Sequence, residues 1–164
     1  MSYRVVWAAL LGAAAAVSAA QDATNAPAAS HPMFTPADVR WGQAPPSLPK
    51  GASFAVLVGD PSKPGPFTFR AKLPPGYRIA PHWHPTTEYQ TILEGTYSVG
   101  MGERFDMGAL RALPAGSFSV MPPEMRHFGY TKDGATLQVH GTGPFTVTYV
   151  NAADDPRIAV PAAN

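Results

Sequence analysis

From Ala52 onward, short apolar or β-branched runs alternate with Gly/Pro punctuation, and that patterning predicts strands rather than helices. The runs cover residues 54–58, 67–73, 77–80, 89–93, 96–100, 118–121, 136–140 and 145–150. Turn signals separate them at Gly59-Asp60-Pro61, Pro74-Pro75-Gly76, Glu94-Gly95, Pro122-Pro123 and Lys132-Asp133-Gly134. Short strands at this spacing predict an all-β sandwich or barrel. The one helical interruption is brief: Asp106 caps a turn or two through Met107, Leu110 and Arg111, and Pro114 ends it. Gly-Pro-Phe-Thr occurs at 65–68 and again at 143–146, each copy opening a candidate strand. Because the flanks differ, this reads as a repeated turn solution rather than an internal repeat.

The first residues follow another pattern. Arg4 is the one basic residue before an apolar run over 5–17, and the small residues Ser18, Ala19 and Ala20 precede Gln21. This predicts a secretory signal over 1–20, removed after Ala19 or Ala20. The competing reading is an N-terminal membrane anchor, since the run approaches the length of a short span; the alanine content and small-residue end favour cleavage. The expected product is exported to the periplasm or the extracellular space, with no stable membrane anchor after processing. Residues 21–33 form a flexible leader rich in Ala, Pro and small polar residues. Residues 34–157 form the barrel domain, with Phe34, Val39 and Trp41 pinning its start, and 158–164 are a tail.

Composition narrows the chemistry. Of 164 residues, loss of twenty leaves 144, enough for one domain with a core. The formal charge of +1 falls to 0 when Arg4 is removed, and nothing in that balance suggests a nucleic-acid or anionic-membrane partner. With no cysteine, disulfides, a lipid-modified cysteine and thiolate metal sites are excluded, and any metal must be held by nitrogen and oxygen. No G-x-S-x-G elbow is present and no Gly-rich phosphate loop follows a strand.

Two stretches carry the candidate chemistry. The first, GYRIAPHWHPTTEYQTILEG over 76–95, holds His82, His84 and Glu88. On a strand, His82 and His84 share a face about 7 Å apart along the backbone; on a helix they would point in nearly opposite directions. Glu88 would lie roughly 13 Å beyond His84 on a straight strand, so the chain must bend, and Pro85-Thr86-Thr87 is where a bend fits. The second stretch, GSFSVMPPEMRH over 116–127, offers a third imidazole at His127. A single histidine on a strand is usually a hydrogen-bonded core residue, and a single glutamate usually solvated. Three such residues at this spacing, followed by His127, argue for a metal site in a small barrel. His31, beside Pro32 in the leader, reads as solvated.

The same residues carry a resemblance. Gly76, His82, His84, Glu88 and Gly95 match the first cupin motif, G-x5-H-x-H-x3-E-x6-G, at every defined position. Gly116, Pro122 and His127 match the second, G-x5-P-x-G-x2-H-x3-N, which is departed from at Glu124 in place of glycine and Thr131 in place of asparagine. The chain thus resembles the cupin superfamily. HWHPTTE, GSFSVMPPEMRHF and QVHGTGPFTVTYVNAADDPR further resemble small exported single-domain bacterial cupins of unassigned activity. The resemblance implies an all-β, single-domain jelly-roll barrel (double-stranded β-helix) with a short helical turn between the motifs. It also implies that His82, His84, Glu88 and His127 converge on one metal.

Three imidazoles and a carboxylate suit one divalent ion of Fe, Mn, Ni, Cu, Co or Zn per chain. Open positions on that ion would make a metal-dependent enzyme, an oxygenase or related lyase or decarboxylase acting on a small oxygen-rich organic molecule. A closed site would make a noncatalytic metal- or ligand-binding module. In the enzyme reading Glu88 also takes a proton. Glu124 is either a second general base or a solvated turn residue. Gln90 shares Glu88's strand face, Gln138 and His140 share a face on a late strand, and all three are candidates to orient ligands or contact substrate. Tyr130, with Tyr89, Tyr97 and Phe128, can line the pocket mouth or form core and wall. The resemblance also implies a homodimer, since small cupins often pair through barrel edges.

Overall fold

Strand β3 (Gly65–Leu73) shows how the patterning builds the molecule: Phe67, Phe69, Ala71 and Leu73 are buried, while the residues between them are half-buried or exposed. Successive side chains on a strand face opposite ways, so one face of β3 packs into a core and the other meets solvent. A computed structural model describes residues 31–158. Residues 1–30, which include the expected signal and most of the expected leader, and the last six residues lie outside the described residues.

The remaining strands are β1 (Gly42–Gln43), β2 (Ser53–Val58), β4 (Arg78–Trp83), β5 (Glu88–Met101), β6 (Arg111–Pro114), β7 (Phe118–Met121), β8 (His127–Tyr130), β9 (Ala135–Gly143) and β10 (Thr148–Tyr149). All their pairings are antiparallel. One sheet runs β1-β2-β3-β9-β5-β7 and the other β6-β5-β8-β4-β10. Strand β5 belongs to both: Glu88–Thr91 pairs with β7 and β9, and Ser98–Met101 with β8. Two sheets that share a long strand and close over one core make a jelly-roll barrel. Its core includes Phe67, Phe69, Ile92, Tyr97, Leu137 and Val139.

The structure revises several boundaries. The turn expected at Glu94-Gly95 is a register shift inside β5. Gly95 has φ +69°, and a Cβ there would run into the Gly134 carbonyl, so the position needs glycine. Residues 89–93 and 96–100 are therefore one strand. The expected helical turn is a single 3-10 turn, Met107–Ala109, capped by Asp106 Oδ1 accepting from the Gly108 N–H at 2.8 Å. Leu110 is already extended and Arg111–Pro114 is strand β6, so Pro114 ends a strand rather than a helix. Only the first Gly-Pro-Phe-Thr opens a strand. The second follows β9, and the strand expected over 145–150 shrinks to Thr148–Tyr149. Of the three residues expected to pin the start of the barrel domain, Val39 is buried, while Phe34 and Trp41 remain exposed.

Thr131, the departure from the motif's asparagine, is buried. Its hydroxyl donates to the Thr96 carbonyl at 2.8 Å and its N–H to the Tyr77 carbonyl at 3.0 Å. It ties the end of β8 to β5 and to the start of β4, which is a structural role.

Candidate metal centre

The site is assembled from the adjoining strands β4, β5 and β8. His82 is on β4, opposite His127 on β8 and Tyr149 on β10. Beyond Trp83 the chain leaves the strand and bends at Pro85 and Thr86, which swings Glu88, the first residue of β5, back toward the imidazoles. All four side chains are buried.

Each imidazole is held from behind. Nδ1 of His82 lies 2.7 Å from the Ala80 carbonyl, Nδ1 of His84 2.8 Å from that of Thr146, and Nδ1 of His127 2.9 Å from that of Met125. A carbonyl only accepts, so each Nδ1 carries the proton and each Nε2 presents a lone pair. One donor nitrogen from each of the three rings lies within 4.8 Å of the others. Glu88 Oε2 is 3.3 Å from Nε2 of both His84 and His127.

The separations of Glu88 from His84 and His127 fit an ion. Two donors about 2.1 Å from one metal, at angles between octahedral and tetrahedral, stand about 3.0 to 3.4 Å apart. Despite their proximity, His84 Nε2 and Glu88 Oε2 are buried without a hydrogen-bond partner, because with the His84 proton on Nδ1 both atoms are acceptors. Orphaned buried acceptors are costly, and a cation between them satisfies both.

The electrostatics point the same way. Burial, with His127 and His84 adding to it, lowers His82 to about 3, so that imidazole is neutral. Burial alone would push the Glu88 carboxyl up, but His84 and His127 pull it below the ordinary carboxylate range. Burial opposes charge on His127 as well, and the Glu88 carboxylate beside it lifts its pKa nonetheless. A fixed carboxylate among imidazoles is the donor set a divalent ion requires.

Of the neighbours, Gln90 is buried beside Glu88, its Nε2 donating to Glu88 Oε1 at 3.4 Å. Ser119 on β7, which the sequence reading passed over, donates to Gln90 Oε1 at 3.3 Å. We expect Gln90→Leu to weaken metal affinity about tenfold or more, read by competition with a chelator. An unchanged affinity would mean that Gln90 does not hold Glu88 in place.

Other candidates fall elsewhere. Gln138 and His140 share a face, but it is the outer one: Gln138 accepts from Arg70 Nε at 3.1 Å, and His140 stacks on Tyr89 with centroids 4.9 Å apart. Tyr89 alternates with Glu88 and Gln90, so its partner also points away from the site. Tyr130, opposite Arg78 and Ser98, lies away from the donor cluster and its cavity. Phe128 is core, and Tyr97 does line the cavity.

Glu124 is exposed and also outside the cavity. Its N–H donates to the His84 carbonyl at 2.8 Å and its own carbonyl accepts from Arg126. Its φ of +61° explains why the motif places glycine there. Glu124→Gly should raise stability by about 1 kcal/mol in a denaturant melt, through relief of the left-handed strain net of glycine's added chain entropy. A loss of stability would refute that reading of the turn.

The barrel and its histidine-carboxylate cluster define a cupin. The matching family model, described as the ChrR cupin-like domain, spans residues 29–146, and the chain belongs to that family. No curated protein matches it. Among solved structures it is similar to the polyketide cyclase RemF from Streptomyces resistomycificus, at TM-score 0.65 and 18% identity over 77% of this chain and 90% of that one. It is also similar to KdgF from Halomonas sp., at TM-score 0.53 and 17% identity over 70% and 96%. An RmlC-like cupin from Shewanella frigidimarina aligns at TM-score 0.53 and 14% identity over 69% and 91%. Likeness at these identities concerns the fold.

Proposed function

We propose that the protein is an exported metal-dependent enzyme, of the oxygenase type or a related lyase or decarboxylase, acting on a small organic molecule that presents an oxygen to the ion. The observation that carries this reading is a cavity of about 290 Å³ lined by all four donor residues. A structural ion is enclosed by its ligands, whereas a catalytic one keeps a side open to substrate.

His82, His84 and His127 would hold the ion through Nε2, and Glu88 through Oε2. A bound divalent transition ion supplies Lewis acidity and, if redox-active, electron transfer. The chain does the rest. The carbonyls of Ala80, Thr146 and Met125 fix the rings, and Gln90 and Ser119 fix the carboxylate. Glu88 would accept a proton from bound substrate at a carboxylate oxygen, and the apolar wall would exclude water.

Metal-loaded protein should give oxygen uptake or product with at least one member of a panel of small phenols, diketones and carboxylates. Silence across the panel with every plausible ion would favour the alternative, a noncatalytic metal- or ligand-binding module. Export rests on the pattern of residues 1–20. A homodimer belongs to the same proposal, supported by Val58, Tyr89, Phe118 and Val120, which are exposed apolar side chains on β2, β5 and β7.

A further inference from the structure

Away from its donors the cavity has a chemistry of its own. The wall begins at the cluster, where Phe145 stacks on the His84 imidazole with 4.1 Å between centroids and 19° between planes. Phe69 lies 6.2 Å from Phe145 and 4.4 Å from Phe54, so three phenyl rings continue the surface. Leu137 and Val139 from β9 add aliphatic wall. The segment of Pro45, Ser47 and Leu48 closes another side, held by Tyr149 Oη donating to the Ser47 carbonyl at 2.9 Å and Tyr77 Oη to that of Pro49 at 2.5 Å.

Charge is distributed one way. Among the described residues, no lysine or arginine lines the cavity, while two carboxylates, Glu88 and Asp60, do. Asp60 is paired with Lys63 at 3.1 Å. An anionic ligand would lose its hydration against phenyl rings and meet no lysine or arginine, and the one compensating charge, that of a bound divalent ion, would already be half neutralised by Glu88. A polyhydroxylated ligand would bury hydroxyls with few groups to pair them.

We infer that the cavity takes an uncharged aromatic molecule of one or two rings, with a phenolic or ketonic oxygen facing the donor cluster and its rings against Phe54, Phe69 and Phe145. This names the substrate class of the proposed enzyme and rests on that reading. The volume sets the size: about 290 Å³ is near the lower limit of small-molecule sites and corresponds to roughly ten waters of liquid. Phenyl walls favour an aromatic partner over an aliphatic one of equal area through edge and offset-stacked contacts. The class is narrower than the oxygen-rich molecule the sequence suggests, because the wall comes from strands that the motifs do not include.

The test is calorimetric titration of metal-loaded protein with 2-naphthol and with galacturonate. Naphthol should bind at least tenfold more tightly. Phe54→Ser should weaken naphthol binding about tenfold with the metal content unchanged. Phe54→Leu, which preserves most of the packing, should weaken it severalfold and guards against a folding defect in the serine variant. Galacturonate binding as tightly as naphthol, binding of neither, or indifference of naphthol to Phe54→Leu would overturn the inference. Tight naphthol binding without turnover of any aromatic would uphold the inference and remove the enzyme reading. Turnover of an acid with naphthol excluded would do the reverse.

Discussion

Purified His84→Ala, loaded and dialysed beside the parent protein, should retain less than a tenth of the parent's transition metal, the parent holding close to one ion per chain. His84 is the donor whose loss the site can least replace. Its Nε2 is buried without a partner and lies 3.3 Å from Glu88 Oε2. Its Nδ1 is engaged by the Thr146 carbonyl, 62 residues along the chain. Removing the ring leaves two imidazoles and a carboxylate, and it strips Phe145 of its stacking partner. Loss of a ligand should exceed the ten- to hundredfold affinity losses typical of groups that only orient ligands. Undiminished metal in the variant would show that the ion, if held, is held elsewhere.

The second large effect is on stability. Phe128 is fully buried beside a donor: it follows His127 on β8 and packs on Phe105 with centroids 5.0 Å apart. Gly100 on β5 leaves room for its ring, since a Cβ at Gly100 would run into the phenyl edge. Phe128→Ala opens a cavity that this close-packed corner cannot fill and should cost about 3–5 kcal/mol. A thermal melt should fall by roughly 10 °C or more. A shift of only a degree or two would mean that β8 is not tightly packed beside His127.

The legible parts of this chain are those set by local spacing. Alternation along 67–73 and 136–140 announces strands because one face is buried and the other wet. His82, His84 and Glu88 announce a site because strand geometry and a proline-induced bend are both local. The sequence was silent where the answer depended on tertiary parity. Gln138 and His140 are seen to share a face, but which face β9 turns inward depends on its register with β3 and β5. The carbonyls of Ala80, Met125 and Thr146 leave no sequence signal, since every residue type has one. Ser119 and Phe145 reach the site from β7 and from the chain between β9 and β10. For Glu124 the sequence left two readings, a general base or a solvated turn residue; its exposure agrees with the turn, and its φ of +61° accounts for the motif glycine by conformation alone.

The central claim is that three imidazoles and one carboxylate bind a single ion, and X-ray absorption at the metal edge of the loaded protein tests it most directly. The account predicts three imidazole nitrogens and a carboxylate oxygen at about 2.0–2.2 Å, with the multiple-scattering signature of histidine rings. A shell of oxygens alone, with no imidazole scattering, would contradict it.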